Sequence, residues 1–272
     1  MPEASVDNAW IESALTVTGY FEDSRDPWGG VSGDFDGMGI SLGILQWNIG
    51  SGSLQPRVRP IGRARVVALM PHYGETLWDA CNADIPAGLA LVRGLQNGSR
   101  LRPAVVAELK AFCHSDDFKA QQVAAIRKTA QDAFDAAEVY VAADPTYDAV
   151  TKALFCWFFD VFTQNGGLKG LTYADVETFI NQTGSAAVDD LVCDWLKSRG
   201  EDQAGSADAH KNDVAWRDHV PADRLNLFVL SYLRALKAKY KYQADTLNRK
   251  GTIVLGIGWV HTEKRDLRAI LA

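Results

Sequence analysis

Long apolar runs are missing from this chain, and so is any excess of positive charge. The longest apolar stretch, ALFCWFFDVF from Ala153 to Phe162, falls far short of the ~20 residues that span a bilayer and holds Asp160 inside it. It reads as a core helix, and membrane insertion is not expected. Lys and Arg number 28 against 34 Asp and Glu, a formal net charge of −6. Phosphate contacts need basic side chains concentrated on one face, so a nucleic-acid partner is not expected either. Lys237, Lys239 and Lys241 come nearest to a basic run and read as a solvated helix face. Cysteine is sparse: Cys81, Cys113, Cys156 and Cys193 form no C-x-x-C pair and are expected as reduced thiols, consistent with folding in the cytoplasm. MPEASVDNAW carries acidic residues where a secretory signal would be basic and then apolar, so delivery to a target outside the cytoplasm is expected to take another route.

The remaining composition, 47% hydrophobic and 23% charged over 272 residues, is that of a folded globular protein. Asp7 is placed to cap a first helix whose apolar positions, Trp10, Ile11, Ala14, Leu15, Val17, Thr18 and Phe21, recur at helical spacing. The helix should end near Glu22, because DSRDPWGG holds a proline and a glycine pair. Gly29 to Gly39 reads as loop, Ile40 onward as a short strand or the entry to a helix, and Leu54 to Pro103 gives mixed signals. Further helices are expected over 103–113, 117–142, 149–163, 173–182, 187–198 and 221–241, with a polar surface connection over 198–213. GTIVLGIGWV, 251–260, has β-type composition and suggests a small hairpin. The fold class is therefore mainly α with a small β element, or α+β if that element is a sheet. It reads as one domain over 1–272, divisible into lobes 1–100 and 101–272.

The stretch GDFDGMGISLGILQWN, Gly33 to Asn48, concentrates the chemistry. Asp34, Asp36 and Gly37 imitate part of a calcium loop, but that alignment puts Ser32 and Gly43 where the first Asp and the bidentate Glu belong. No metal or other cofactor is expected. Gly39-Ile-Ser41-Leu-Gly43 is a literal G-x-S-x-G, yet SGDFDGM ahead of it cannot be the buried strand that a nucleophile elbow requires, so Ser41 reads as a turn residue. A third reading is a carboxylate pair. Glu22, at a helix C-terminus beside Tyr20 and Phe21, lies where the helix carbonyls and withheld water favour a protonated acid. Asp36, in a glycine-rich loop, suits a carboxylate that activates water. Asp23, Asp26 and Asp34 compete for that second role, Asp34 most seriously because it lies two residues from Asp36.

FE at a helix end, followed by a short loop and DGMGISLGILQWN, resembles the lysozyme-like superfamily of glycoside hydrolases. It is most similar to the chitosanase branch and to the peptidoglycan-degrading enzymes of phages and secretion systems. The likeness covers about the first fifty residues and FDVFTQNGG, Phe159 to Gly167. The resemblance implies a lysozyme-like fold with a cleft beside the β element, Glu22 as general acid and Asp36 as base. It also implies that Ser41, Gly43 and Gln46 shape the cleft floor and that Gln164 and Asn165 line it. Trp28, Trp47 and Asn48 are candidate sugar-contacting walls, with core packing the alternative for both tryptophans. The implied activity is hydrolysis of β-1,4 linkages in peptidoglycan, with chitosan hydrolysis as one alternative and a non-catalytic carbohydrate- or wall-binding module as another. Inversion is expected from the chitosanase-like turn. The implied partners are the polysaccharide and, for an antibacterial effector, an immunity or inhibitor protein or a secretion carrier. The implied place of action is the cell wall.

Overall fold

The computed structural model describes residues 6–22, 26 and 28–272, with the side chains of residues 20 and 22 outside the description. In chain order the helices are α1 (Asn8–Glu22), α2 (Gln55–Val58), α3 (Arg63–Leu69), α4 (Gly74–Asn82), α5 (Ile85–Arg93), α6 (Pro103–His114) and α7 (Asp116–Ala143). They continue as α8 (Lys152–Asn165), α9 (Tyr173–Thr183), α10 (Val188–Lys197), α11 (Ser206–Trp216), α12 (Leu225–Leu236), α13 (Gln243–Leu255) and α14 (Arg268–Leu271). The strands are short: β1 (Val31–Ser32), β2 (Ser41–Leu42), β3 (Trp47–Asn48), β4 (Gln96–Asn97), β5 (Arg100–Leu101), β6 (Ile257–Val260) and β7 (Glu263–Asp266). They form three small antiparallel sheets, ordered β1-β2-β3, β4-β5 and β6-β7. The protein is thus mainly helical, and no described helix is long and apolar enough to cross a membrane.

Two compact units divide the chain. Residues Met1–Asp23 and Thr129–Ala272 form one, and residues Ser24–Lys128 the other. The division differs from the lobes read from the sequence: α1 packs with the C-terminal helices, whereas the acidic loop after it belongs to the second unit.

In the first unit α1 starts where Asp7 Oδ1 accepts the Ala9 amide at 2.8 Å, satisfying one of the free N–H groups of the first turn. Its apolar face lies on α8, with the Trp10 ring 5.9 Å from Phe155 and 6.3 Å from Phe134. Helix α8 is capped by Thr151, whose hydroxyl accepts the Leu154 amide, and stops at Gly166 in the left-handed conformation. Leu154 to Val161 are all buried, and Trp157 donates its indole N–H to Ser231 of α12 at 2.9 Å. The stretch expected as one helix over 221–241 is helical from Leu225 to Leu236, and the carbonyls of Leu236 and Ala238 beyond its end accept the Gln243 side-chain amide.

Two more sequence expectations need correction. Residues 198–213 are not wholly a surface connection, because α11 begins at Ser206 and buries Asp208, Ala209, Asn212 and Asp213. The segment 251–260 is hairpin only from Ile257, since Gly251 to Leu255 complete α13. A Cβ at Gly251 would lie 2.5 Å from the Trp216 ring, whose N–H donates to the Ile257 carbonyl, so glycine is what lets that indole seat.

In the second unit α4 and α5 pack together, and α3 packs on α4. Asp84 caps α5 by accepting the Ala87 amide, with Pro86 just inside the helix, where a missing N–H is harmless. All four cysteines are buried free thiols.

Candidate active site

Within the second unit, β1-β2-β3 is a meander with Val31 opposite Leu42, Ser32 opposite Ser41, Ser41 opposite Asn48 and Leu42 opposite Trp47. The loop from β1 to β2 is Gly33 to Ile40. Gly39 takes φ +87°, and a Cβ there would lie 2.8 and 2.9 Å from Leu89 and Val92 of α5, so the turn closes only with glycine.

Asp34 fastens this loop. Its Oδ1 accepts the Gly39 amide at 2.7 Å, its Oδ2 accepts Arg93 Nε at 2.6 Å, and its own amide donates to Gln96 Oε1 at 2.9 Å. Burial pushes the Asp34 carboxyl up, but the Arg93 guanidinium and the Gly39 amide outweigh it and hold it below the usual carboxylate range. Asp36 differs. Its Oδ1 accepts the Met38 amide at 3.0 Å, an Asx-type turn, and no described residue reaches its Oδ2. It is exposed, so one carboxylate oxygen faces water from a backbone already fixed on both sides. Between the two acids Phe35 is 75% exposed, a large apolar ring on a loop tip that is otherwise polar.

The second turn is held as firmly. Gln46 has φ +52°; its side chain donates to the Gly43 carbonyl at 3.0 Å and accepts the Ser32 hydroxyl at 3.0 Å. Buried Gln122 accepts the Ile44 amide at 3.0 Å and donates to the carbonyls of Cys113 and Trp28. Ser41 is buried in β2, paired on both sides, which is not the strand-to-helix turn of a nucleophile elbow. Trp47 is 6% exposed with the Arg57 guanidinium 5.7 Å from its ring, so it packs as core. Asn48 accepts the Ser51 amide at 2.8 Å and shapes the next turn. Asp26 is engaged by His114 at 3.1 Å and by the Gly29 amide, and His114 is the main cause of its lowered pKa.

Glu22 closes α1 in the first unit. Its side chain lies outside the described residues, as do that of Tyr20 and the whole of Asp23 and Pro27. The residue before it, Phe21, is fully buried, with the Arg249 guanidinium 4.8 Å from its ring. Arg249 in turn donates to Asp160 Oδ1 at 2.7 Å, and Lys250 bonds both Asp160 Oδ2 and Gln164 Oε1, the latter at 3.0 Å. Gln164 therefore serves a buried lysine. Asn165 offers its main-chain carbonyl to Arg234 at 2.8 Å, while its side-chain oxygen is buried without a donor among the described residues.

The structure thus gathers Asp34, Asp36, Ser41, Gln46, Trp47 and Asn48 in the second unit and Glu22, Gln164 and Asn165 in the first. Sequence reasoning missed Arg93 and Gln96 around the acidic loop, Gln122 at the following turn, and Arg249 and Lys250 beside the helix end. Arg93 reaches Asp34 across a separation of 59 residues, and no local pattern announces such a partner. Phe35 did carry a signal, an aromatic between two aspartates in a glycine-rich loop. Among the described residues no three His, Cys, Asp or Glu side chains group as a metal site. Compared with models of protein families, with curated proteins and with solved structures, the chain matches none.

Proposed function

We propose that this protein is a lysozyme-like glycoside hydrolase that cleaves β-1,4 linkages of peptidoglycan, with Glu22 donating a proton to the leaving oxygen and Asp36 activating water. The observation that carries the reading is the division of labour between the two loop aspartates. Asp34 has both oxygens and its amide committed to Arg93, Gly39 and Gln96, which rigidify the loop. Asp36 keeps one oxygen open to water. A base that must bind and deprotonate water needs a free oxygen on a fixed backbone, and Asp36 meets both conditions. On this reading Phe35 offers an apolar face to the C–H side of a sugar ring beside that carboxylate.

With Asp36 as a base on water rather than a nucleophile, the proposed mechanism is inverting, the water delivered from the side of the ring opposite the leaving group. Digestion of purified peptidoglycan, borohydride reduction and mass spectrometry of the fragments tests the bond. The reading assigns cleavage to the muramidase bond, after N-acetylmuramic acid, and reduced muramic acid ends support it. Reduced glucosamine ends, or cleavage of stem peptides alone, contradict it. The net charge of −6 favours chitosan as a second substrate, since a polycation is drawn to an acidic protein.

A further inference from the structure

The tip of the β6-β7 hairpin carries a conformation that its residues do not favour. Val260 pairs with Glu263, so His261 and Thr262 are the two turn residues. Such turns need positive φ at both positions and usually use Asn-Gly. Here His261 has φ +52° and Thr262, a β-branched residue, has φ +69°. Non-glycine residues held there are strained by ~1–3 kcal/mol each and persist only where the surroundings fix them.

What fixes them is a set of long-range contacts. The Thr262 amide donates to Asp208 Oδ2 at 2.9 Å, and Asp208 is nearly buried. His261 Nε2 meets Asp245 Oδ1 at 3.1 Å, and its Nδ1 meets the main-chain carbonyl of Phe21. A carbonyl and a carboxylate only accept, so both ring nitrogens must donate, and a neutral imidazole has a single N–H. Both bonds together require the imidazolium. The cation sits at the C-terminal turn of α1, where helix carbonyls lack partners and positive charge is favourable. The carbonyl it takes belongs to the residue before Glu22.

We propose that His261, doubly protonated and backed by Asp245, is a positioning residue that fixes the last turn of α1, the turn that carries Glu22. The proposal rests on the reading of Glu22 as the general acid. The charged groups that act on the imidazole are Asp245 and Arg249 from α13; Asp208 of α11, paired with Lys211, holds the neighbouring Thr262 amide, and Glu263 and Arg265 pair with each other further along the hairpin. The Asp245 hydrogen bond raises the imidazole pKa, against opposition from burial and from Arg249. A raised folded pKa means that the clamp is complete below the ordinary imidazole value and is lost as pH rises through the folded one.

The test uses the full chain as wild type, His261→Gln and Asp245→Asn, with three readouts. Nitrogen NMR of the wild type at pH 6 should show both His261 ring nitrogens protonated, and Asp245→Asn should move the ring's titration to lower pH. Amide exchange in the last turn of α1 should quicken roughly tenfold in both variants, the scale of one charge-assisted hydrogen bond. For polymer hydrolysis, kcat should fall roughly tenfold with KM unchanged. A neutral His261 ring at pH 6 in the wild type overturns the proposal without recourse to any variant. Faster exchange with unaltered kcat also overturns it, since the clamp would then be structural only. A wild type that cleaves neither peptidoglycan nor chitosan removes the role assigned to Glu22 and the proposal with it, and the exchange data then report on the helix end alone.

Discussion

Replacing Asp160 by Asn removes one charge and leaves the side-chain volume nearly unchanged, so its effect isolates the ion network beneath α1. Asp160 is fully buried, and its two oxygens are divided between Arg249 and Lys250. Burial pushes the Asp160 carboxyl up, but the two cations outweigh it and hold it below the usual range. Burial pushes the Lys250 ammonium down, and Asp160 is the main opposing influence. With Asn at 160 the only acceptor left to Lys250 among the described residues is Gln164, apart from whatever the new amide offers. Removing one partner of a buried pair costs about 3–5 kcal/mol. A second route gives a similar size. Lys250 can shed its proton, and moving from an ordinary pKa of ~10.4 to pH 7 costs about 4.6 kcal/mol. That second cost falls by ~1.4 kcal/mol per pH unit until the wild-type Lys250, pushed down to about 8 by burial, loses its proton as well, so the deficit of Asp160→Asn should shrink from pH 7 to pH 8 and then level off. Urea denaturation of both proteins at pH 7, 8 and 9, read as midpoints at constant m, checks both statements. A deficit under ~1 kcal/mol at pH 7, or one that does not shrink from pH 7 to pH 8, refutes the reasoning.

Two further outcomes are expected. Asp34→Asn should destabilise the second unit by ~1–3 kcal/mol through loss of its charge-assisted bond to Arg93. Because the folded Asp34 pKa is depressed, that stabilisation is present above the ordinary carboxylate value and disappears as pH falls through the folded one, so wild type and variant should converge in acid. Phe35→Ala should raise KM for polysaccharide roughly fivefold with kcat unchanged, as loss of ~1 kcal/mol of ring contact implies; an unchanged KM would show that the ring touches no sugar.

The longer elements with an apolar buried face were legible in the sequence. The first helix ends at Glu22, and the helix starts at 103 and 173 and the ends of the long helix at 116–143 fall on or within one residue of their expected places. Two kinds of element escaped: the short helices α3, α4 and α5, which bury only a few apolar residues each (Val66; Leu77, Ala80 and Cys81; Val92), and helices whose buried faces are largely polar. Helix α13 reads QADTLNRKGTIVL and buries Asn248, Arg249, Lys250 and Thr252 together with Leu247, Ile253 and Val254, so the polar run in its middle breaks the hydrophobic periodicity. Helix α11 hides Asn212, which bonds Asn248 and the main chain of Trp259, behind the same polar composition. At the candidate site the acids themselves stood out by their spacing. The distinction between them did not, because what separates Asp34 from Asp36 is Arg93 and Gln96, distant in sequence and joined to the loop only by folding.

The most direct test of the two-carboxylate account is reducing-end release from purified peptidoglycan and from chitosan by wild type, Glu22→Gln and Asp36→Asn. The account predicts release by the wild type, more from peptidoglycan, and a loss of ~10²–10⁴-fold in each variant with the thermal midpoint unchanged. No release from either polymer by the wild type, or activity in either variant within tenfold of it, would contradict the account.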